Sequence, residues 1–340
     1  MTRAPLERRT MTDTTTARAS EAAYDRRSIL LVFVGLMTAM LLSALDQTIF
    51  STALPTIVGE LDGVDHMLWV TTAYILAATI MMPVYGKVGD LIGRKPLFLF
   101  AIGVFMVGSV VGALATGMTE LIVGRAIQGI GGGGLMILSQ AVIADIVPAR
   151  ERGKYMGLMG GVFALASVIG PLLGGWFTES IGWQWCMWIN VPLGLIAMAS
   201  VMLFLHPPAK DRARPRLDVA GMVLIAIASA ALVLFTSWGG GTYAWDSPVI
   251  LGLIGLTVVA GVAFVLVERR AAEPIMPLTL FKERNFNLTT AAGLLMGIAM
   301  FGTLAYMPTY LQMVAQVDAT TAGLLMIPMM GAMLPTSIIV

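Results

Sequence analysis

Gly86-Lys87-Val88-Gly89-Asp90-Leu91-Ile92-Gly93-Arg94-Lys95-Pro96 joins two long apolar segments. Glycines three and four residues apart allow two helices to approach closely, and Asp90 and Arg94 stand one helical turn apart, able to pair or to cap a neighbour. Three of the eleven residues are basic, and that bias repeats outward in both directions. Arg3, Arg8, Arg9, Arg18, Arg26 and Arg27 precede the first apolar segment. Arg150, Arg152 and Lys154 follow the fourth, Lys210, Arg212, Arg214 and Arg216 the sixth, and Arg269, Arg270, Lys282 and Arg284 the eighth. The intervening gaps hold no Lys or Arg and carry Glu60, Asp62, Asp65, Glu120, Glu179, Asp246 and Asp318 instead. Of the 21 Lys and Arg residues, only Arg125 falls in the interior of an apolar segment rather than at an end or in a connection. Basic residues are retained on the cytoplasmic side during insertion, so the amino terminus and the even-numbered connections are expected there.

Composition points to the same class. A content of 57% hydrophobic and 12% charged residues is too apolar for a water-facing surface, which needs roughly a quarter charged residues. A helix crosses the hydrocarbon layer with about 20 mostly apolar residues. Ten segments qualify: 29–57, 67–86, 97–116, 120–144, 154–178, 185–206, 217–236, 248–267, 287–311 and 320–340. The expected fold class is an all-α polytopic protein of the cell membrane, inner or plasma, with the bilayer as its first partner. Residues 1–28 read as a disordered cytoplasmic tail without the apolar core of a secretory signal. The last segment is still apolar at Val340, so the sequence reads as a truncated part of a longer chain.

Several chemistries are disfavoured. A net charge of +1 gives no hint of nucleic acid. The single cysteine, Cys186, excludes an intrachain disulfide or a cysteine-based metal site. His66 and His206 are the only histidines, and no Ser-His, Cys-His or metal-ligand constellation surrounds them, so neither catalytic nor metal residues are assigned and no enzyme is expected.

The loop quoted above resembles the signature loop of the major facilitator superfamily, and four further stretches extend the resemblance to its fourteen-span drug:proton antiporter branch. Leu45-Asp46-Gln47-Thr48-Ile49-Phe50-Ser51-Thr52-Ala53-Leu54-Pro55-Thr56-Ile57 resembles the first-span motif of that branch. Arg125-Ala126-Ile127-Gln128-Gly129-Ile130-Gly131-Gly132 is similar to the fourth-span motif, and Gly170-Pro171-Leu172-Leu173-Gly174-Gly175 to the motif associated with antiporters. Tyr310-Leu311-Gln312, with Ala322-Gly323-Leu324 and Pro328, resembles the entry to the second half. Two departures stand out: Ala166 where the antiporter motif usually has Gly, and Leu91 where Arg often follows the loop aspartate.

The resemblance implies a major facilitator fold of alternating-access helical bundles: a six-span bundle at 29–206, a cytoplasmic linker at 207–216, two extra central spans at 217–267, a connector at 268–286 and the opening of a second bundle at 287–340. It implies a proton-coupled exporter of lipophilic or cationic compounds, driven by the proton gradient without a cofactor and compatible with an envelope accessory protein. Asp90, Arg94 and Asp145 would form a conformational latch on the cytoplasmic side, with Gly86, Gly93, Lys95 and Arg152 around it.

Elementary physics supplies candidates independently. A charge near the membrane centre costs about 3 kcal/mol on insertion scales, so Asp46 and Arg125 are expected to face the protein interior or a water-filled cavity and to be functional. Both fall in the outer half of the membrane and could meet. Burial and a nearby guanidinium act oppositely on a carboxylate's hold on a proton, so moving Arg125 relative to Asp46 would switch proton affinity; the alternative is a permanent ion pair that orders two helices. Gln47 and Gln128 are candidates for the substrate cavity or for interhelical hydrogen bonds. Gly129 and Gly131 to Gly134 read as a packing surface. Pro171, flanked by Gly170, Gly174 and Gly175, suits either a helix that bends between states or static close packing. Residues 271–285 mix apolar and basic side chains and read either as a segment lying in the cytoplasmic interface or as a plain loop. Export of an endogenous lipid, siderophore or secondary metabolite, and a non-transporting sensor or scaffold, are the competing functional readings.

Overall fold

The computed structural model describes residues 26–148, 151–205, 218–271 and 274–317, with Leu325, Pro328 and Ala332. Residues 1–25 of the expected tail, the linker expected at 207–216 and most of the tenth expected span lie outside the described residues, while residues 26–28, also assigned to the tail, already belong to the first helix.

The apolar segments fold as helices: α1 (Arg26–Glu60), α2 (Met67–Ile92), α3 (Arg94–Ala113), α4 (Met118–Ile146), α5 (Arg152–Ser180), α6 (Asn190–Phe204), α7 (Val219–Trp238), α8 (Pro248–Glu268) and α9 (Arg284–Met313). A one-turn helix, Trp185–Trp188, leads into α6. The first eight, with that turn counted into α6, are long and apolar enough to cross a membrane, and α9 coincides with the ninth expected span. Their ends obey local chemistry. Gly93, at φ 100°, makes the turn between α2 and α3 that a side chain would strain. Ser247 caps α8 by accepting from the Ile250 N–H, with Pro248 in the first turn, and Asp218 caps α7 by accepting from the Gly221 N–H at 2.8 Å.

α1 and α4 form the centre: 61% of the most apolar stretch of each is buried, against 17% for α7 and α8. α1 packs on α5 and α6, as α4 packs on α2 and α3, while α1 meets α4 and α3 meets α6. Exchanging α1–α3 for α4–α6 leaves this pairing unchanged, so the six helices form two related triplets. α7 packs on α2 and on α8, attaching the extra pair to one flank.

Glycines set how closely the centre packs. A Cβ on Gly129 or Gly133 would run into the backbone carbonyls of Tyr74 and Ala78 on α2. One on Gly131 would meet the Ala101 carbonyl and the Phe105 N–H on α3, and one on Gly124 would lie 2.7 Å from the Gly112 nitrogen. The glycine run of α4 thus presses backbone against backbone on two sides, as the packing reading expects. Two apolar clusters fill the bundle, one around Leu36, Tyr85, Phe98, Phe105 and Leu138, the other around Ile49, Ala53, Leu121, Trp183 and Met187. They meet on α1 between Leu42 and Ala44, next to the polar site. The outer faces are apolar and open, with Val258, Val259 and Val262 each more than half exposed, as lipid contact requires.

Substituting Gly133→Ala is expected to cost about 1–3 kcal/mol through overpacking, whereas Gly252→Ala on α8, where a Cβ meets nothing within 4 Å, is expected to be neutral. Thermal unfolding of the detergent-solubilised variants, followed by size-exclusion fluorescence, checks the contrast.

Candidate functional site

Four helices converge on one carboxylate. Asp46 on α1 is fully buried and Arg125 on α4 is 2% exposed. The Arg125 Nη1 donates to Asp46 Oδ2 at 2.5 Å and to Gln128 Oε1 at 2.9 Å. Asp46 Oδ1 accepts from Gln128 Nε2 at 2.9 Å and from Asn190 Nδ2 of α6 at 2.7 Å. The Ser109 hydroxyl of α3 accepts from the same two amides, at 2.7 and 3.2 Å, and donates to the Phe105 carbonyl. Phe50 and Tyr74 clasp the guanidinium between them, their ring centres 4.5 and 4.4 Å from its carbon, an arrangement that stabilises a cation out of water. Tyr74 is tied back to α1 by a 2.9 Å hydrogen bond with Ser43.

The arrangement suits an ionised carboxylate, since three donors converge on it and a cation neutralises it. Within this cluster two buried atoms have no hydrogen-bond partner among the described residues: Arg125 Nε and Asn190 Oδ1. One is a spare donor and the other a spare acceptor, which gives the cluster room to rearrange its hydrogen bonds. The sequence proposed Asp46 and Arg125 as a pair and left Gln128 as a substrate-cavity or interhelical amide. It missed Ser109 and Asn190, whose signal was a polar residue within an apolar span, and it missed the aromatic clasp. Gln128 is wholly taken up by Asp46, Arg125 and Ser109, so it serves the ion pair rather than an open cavity in this conformation. Gln47 instead lies exposed on α1, one turn from Ser51 on the same face.

At the end bearing the basic connections, Arg94 bridges Asp90 at 2.9 Å and Asp145 of α4 at 2.8 Å. Lys95 donates to the Met202 carbonyl near the end of α6, at 2.8 Å. Arg152 donates to the Ala144 and Val147 carbonyls at the end of α4, where cations are favoured. The stretch expected as a loop is helical up to Ile92, with the turn made at Gly93 alone; of its glycines, Gly89 packs against Leu138, while a Cβ on Gly86 would meet nothing within 4 Å.

The segment around Pro171 lies against α1. A Cβ on Gly170 would strike the Thr48 hydroxyl, and one on Gly174 would come 2.8 Å from the Ile49 carbonyl. The Thr48 hydroxyl donates to the Ala166 carbonyl at 2.9 Å, with the Ala44 and Leu45 carbonyls of its own helix at 3.1 Å. Gly175 faces open space, so the close contact is made by two of the three glycines.

The profile of the Major Facilitator Superfamily matches residues 36–340. The chain belongs to the Major Facilitator Superfamily. It is 41% identical over 322 residues to the multidrug transporter protein MdtP of Bacillus subtilis, covering 94% of this chain and 59% of that protein. It is 38% identical over 318 residues to Multidrug resistance protein 3 of the same organism, covering 94% and 60% respectively. The chain therefore spans somewhat more than half the length of these relatives. The solved structure of the proton:xylose symporter XylE aligns with a TM-score of 0.59 over 93% of this chain and 69% of that one, at 14% identity, a likeness of fold. A multi-pass membrane protein of all-helical superfamily fold is thus established, and several of the homologues are named as multidrug transporters or efflux pumps.

Removing one member of the buried pair is expected to cost more than removing both. Asp46→Leu leaves an unpaired guanidinium and should destabilise by about 3–5 kcal/mol. Combining it with Arg125→Leu should recover part of that loss, a coupling that a double-mutant cycle of thermal unfolding in detergent measures directly.

Proposed function

We propose that the protein is a proton-coupled exporter of lipophilic, often cationic compounds, held in the cytoplasmic membrane with its amino terminus in the cytoplasm. The observation that carries this reading is a titratable carboxylate buried inside a membrane domain and served by a cation and two amides from two other helices. Such a group is costly, and its default explanation is a role in moving charge. The drug-transporter and efflux-pump names among the homologues supply the direction and the class of cargo. The proton gradient is the energy source in this reading, and no cofactor takes part.

Asp46 is the proton carrier. While it is ionised, it holds Arg125, Gln128 and Asn190 together. Protonation removes the charge that Arg125 answers and weakens α1–α4 and α1–α6 contact at one point. The spare acceptor on Asn190 and the spare donor on Arg125 allow the cluster to settle into a second set of hydrogen bonds. Arg94, Asp90 and Asp145 latch the cytoplasmic end, so two charge clusters at different depths bias one two-state equilibrium. Gln47 and Ser51 belong to the wall of the substrate path, on the face of α1 turned away from the bundle core. The proposed organisation is a six-span bundle over 29–206, an added pair over 217–267, and residues 287–340 opening a second bundle, with access alternating between the two sides. An envelope accessory protein is compatible with this organisation.

Everted vesicles with an imposed proton gradient and a lumenal pH dye test the reading. Lipophilic cations are expected to collapse the gradient in the wild type, and Asp46→Asn to abolish that response while leaving the protein folded. A response of wild-type size from Asp46→Asn would remove the carboxylate from the coupling.

A further inference from the structure

Where α8 meets the connector to α9, the chain borders a half-open cavity of about 900 Å³ lined by Val265, Glu268, Arg269, Leu278, Phe281 and Lys282, among others. A second hollow of about 440 Å³ runs along α8 past Thr257, Gly261, Val262 and Leu266. The two share Val265 and Arg269, so they form one path from the apolar flank of α8 into a basic pocket.

The pocket is a fastened feature. The Glu268 carboxylate, 3% exposed, accepts from the Ile275 N–H at 3.1 Å and the Met276 N–H at 3.3 Å. Lys87, in the last turns of α2, donates to the Pro274 carbonyl at 3.2 Å. On the far side Asn287 donates to the Phe281 carbonyl at 2.7 Å, and Phe281 packs edge-on against Phe286. These ties fold the connector back over the end of α8. They also occupy both Glu268 oxygens, turning the acid towards backbone amides. Arg94, Lys95, Arg125 and Arg152 are all engaged by protein acceptors. Arg269 and Lys282 make no ion pair or hydrogen bond among the described residues, which leaves two cations beside an apolar channel.

We propose that this path binds an anionic phospholipid of the cytoplasmic leaflet, with its phosphate on Arg269 and Lys282 and one acyl chain along Gly261, Val262 and Leu266. Charge and dimension both fit. The rise from Thr257 to Arg269 is about 18 Å, close to the roughly 15 Å depth of one leaflet. Leu280 and Phe281, 39% and 46% exposed, carry the apolar side of the connector into the interface. A soluble anion would use the two cations but not the groove. The inference rests on the orientation proposed above, which puts the basic connections in the cytoplasm, and is independent of what the protein exports.

Native mass spectrometry of the protein purified from its own membrane, titrated with dioleoylphosphatidylglycerol, tests the site. Each cation near a membrane surface contributes about fivefold in binding, so Arg269→Ala with Lys282→Ala should weaken the tightest lipid about 25-fold. Gly261→Leu, which fills the groove where a Cβ meets nothing within 4 Å, should weaken it too. Lys282→Arg should bind as wild type, and glycerol 1-phosphate should fail to compete. Unchanged binding in the double variant, or equal competition by glycerol 1-phosphate, overturns the lipid assignment. Because the readout is binding, a transport assay that fails leaves this result standing.

Discussion

A carboxylate and a guanidinium in contact, sealed from water, govern the rest of the bundle. Neither charge can be buried alone without several kcal/mol of penalty, so Asp46 requires Arg125 and α1 requires α4. The remaining lone pairs and protons then demand their own partners, which draws in Gln128, Ser109 and Asn190 and with them α3 and α6. A polar cluster in a low-dielectric interior is favourable only when nearly every member is served. The helices of the six-span unit are therefore positioned by electrostatics at one depth and by apolar packing on either side of it.

Packing makes that meeting possible. Arg125 reaches Asp46 because α4 lies against α2 and α3 almost backbone to backbone, at Gly129 and Gly133 on one side and Gly124 and Gly131 on the other. Lipid tails give apolar helices little reason to associate, so close backbone contact and interhelical hydrogen bonds supply most of the cohesion. The same glycines that admit the neighbours leave the α4 interior without bulky side chains, and the aromatic rings of Phe50 and Tyr74 occupy the space around the cation.

The spans and the central pair were legible because both break a rule visible in one dimension: long apolar runs are alien to water, and Asp46 and Arg125 are alien to those runs. Gln128 was legible as a position, three residues after Arg125 on one helix face, but its use was not, since the direction of an amide depends on what faces it. Asn190 and Ser109 carry no charge and sit on helices distant in sequence, so nothing in one dimension tied them to Asp46. Spacing also says which face a glycine occupies without saying what lies opposite. That is why Gly170 and Gly174 meet α1 while Gly86 and Gly175 meet nothing nearby. Arg152 was placed with the acids of the latch by its neighbourhood, yet the carbonyls at the end of α4 take its donors.

The Thr48 hydroxyl has a single hydrogen and carbonyls of two helices within reach, Ala166 across the seam and Ala44 and Leu45 at home. In a medium without water, parting two polar surfaces ordinarily strands a donor. Here the donor turns back onto its own helix, and the Ala166 carbonyl remains inside α5. The seam between α1 and α5 can open and reclose without an unsatisfied hydroxyl in either state, so sliding along it is opposed by little more than the loss of dispersion contacts.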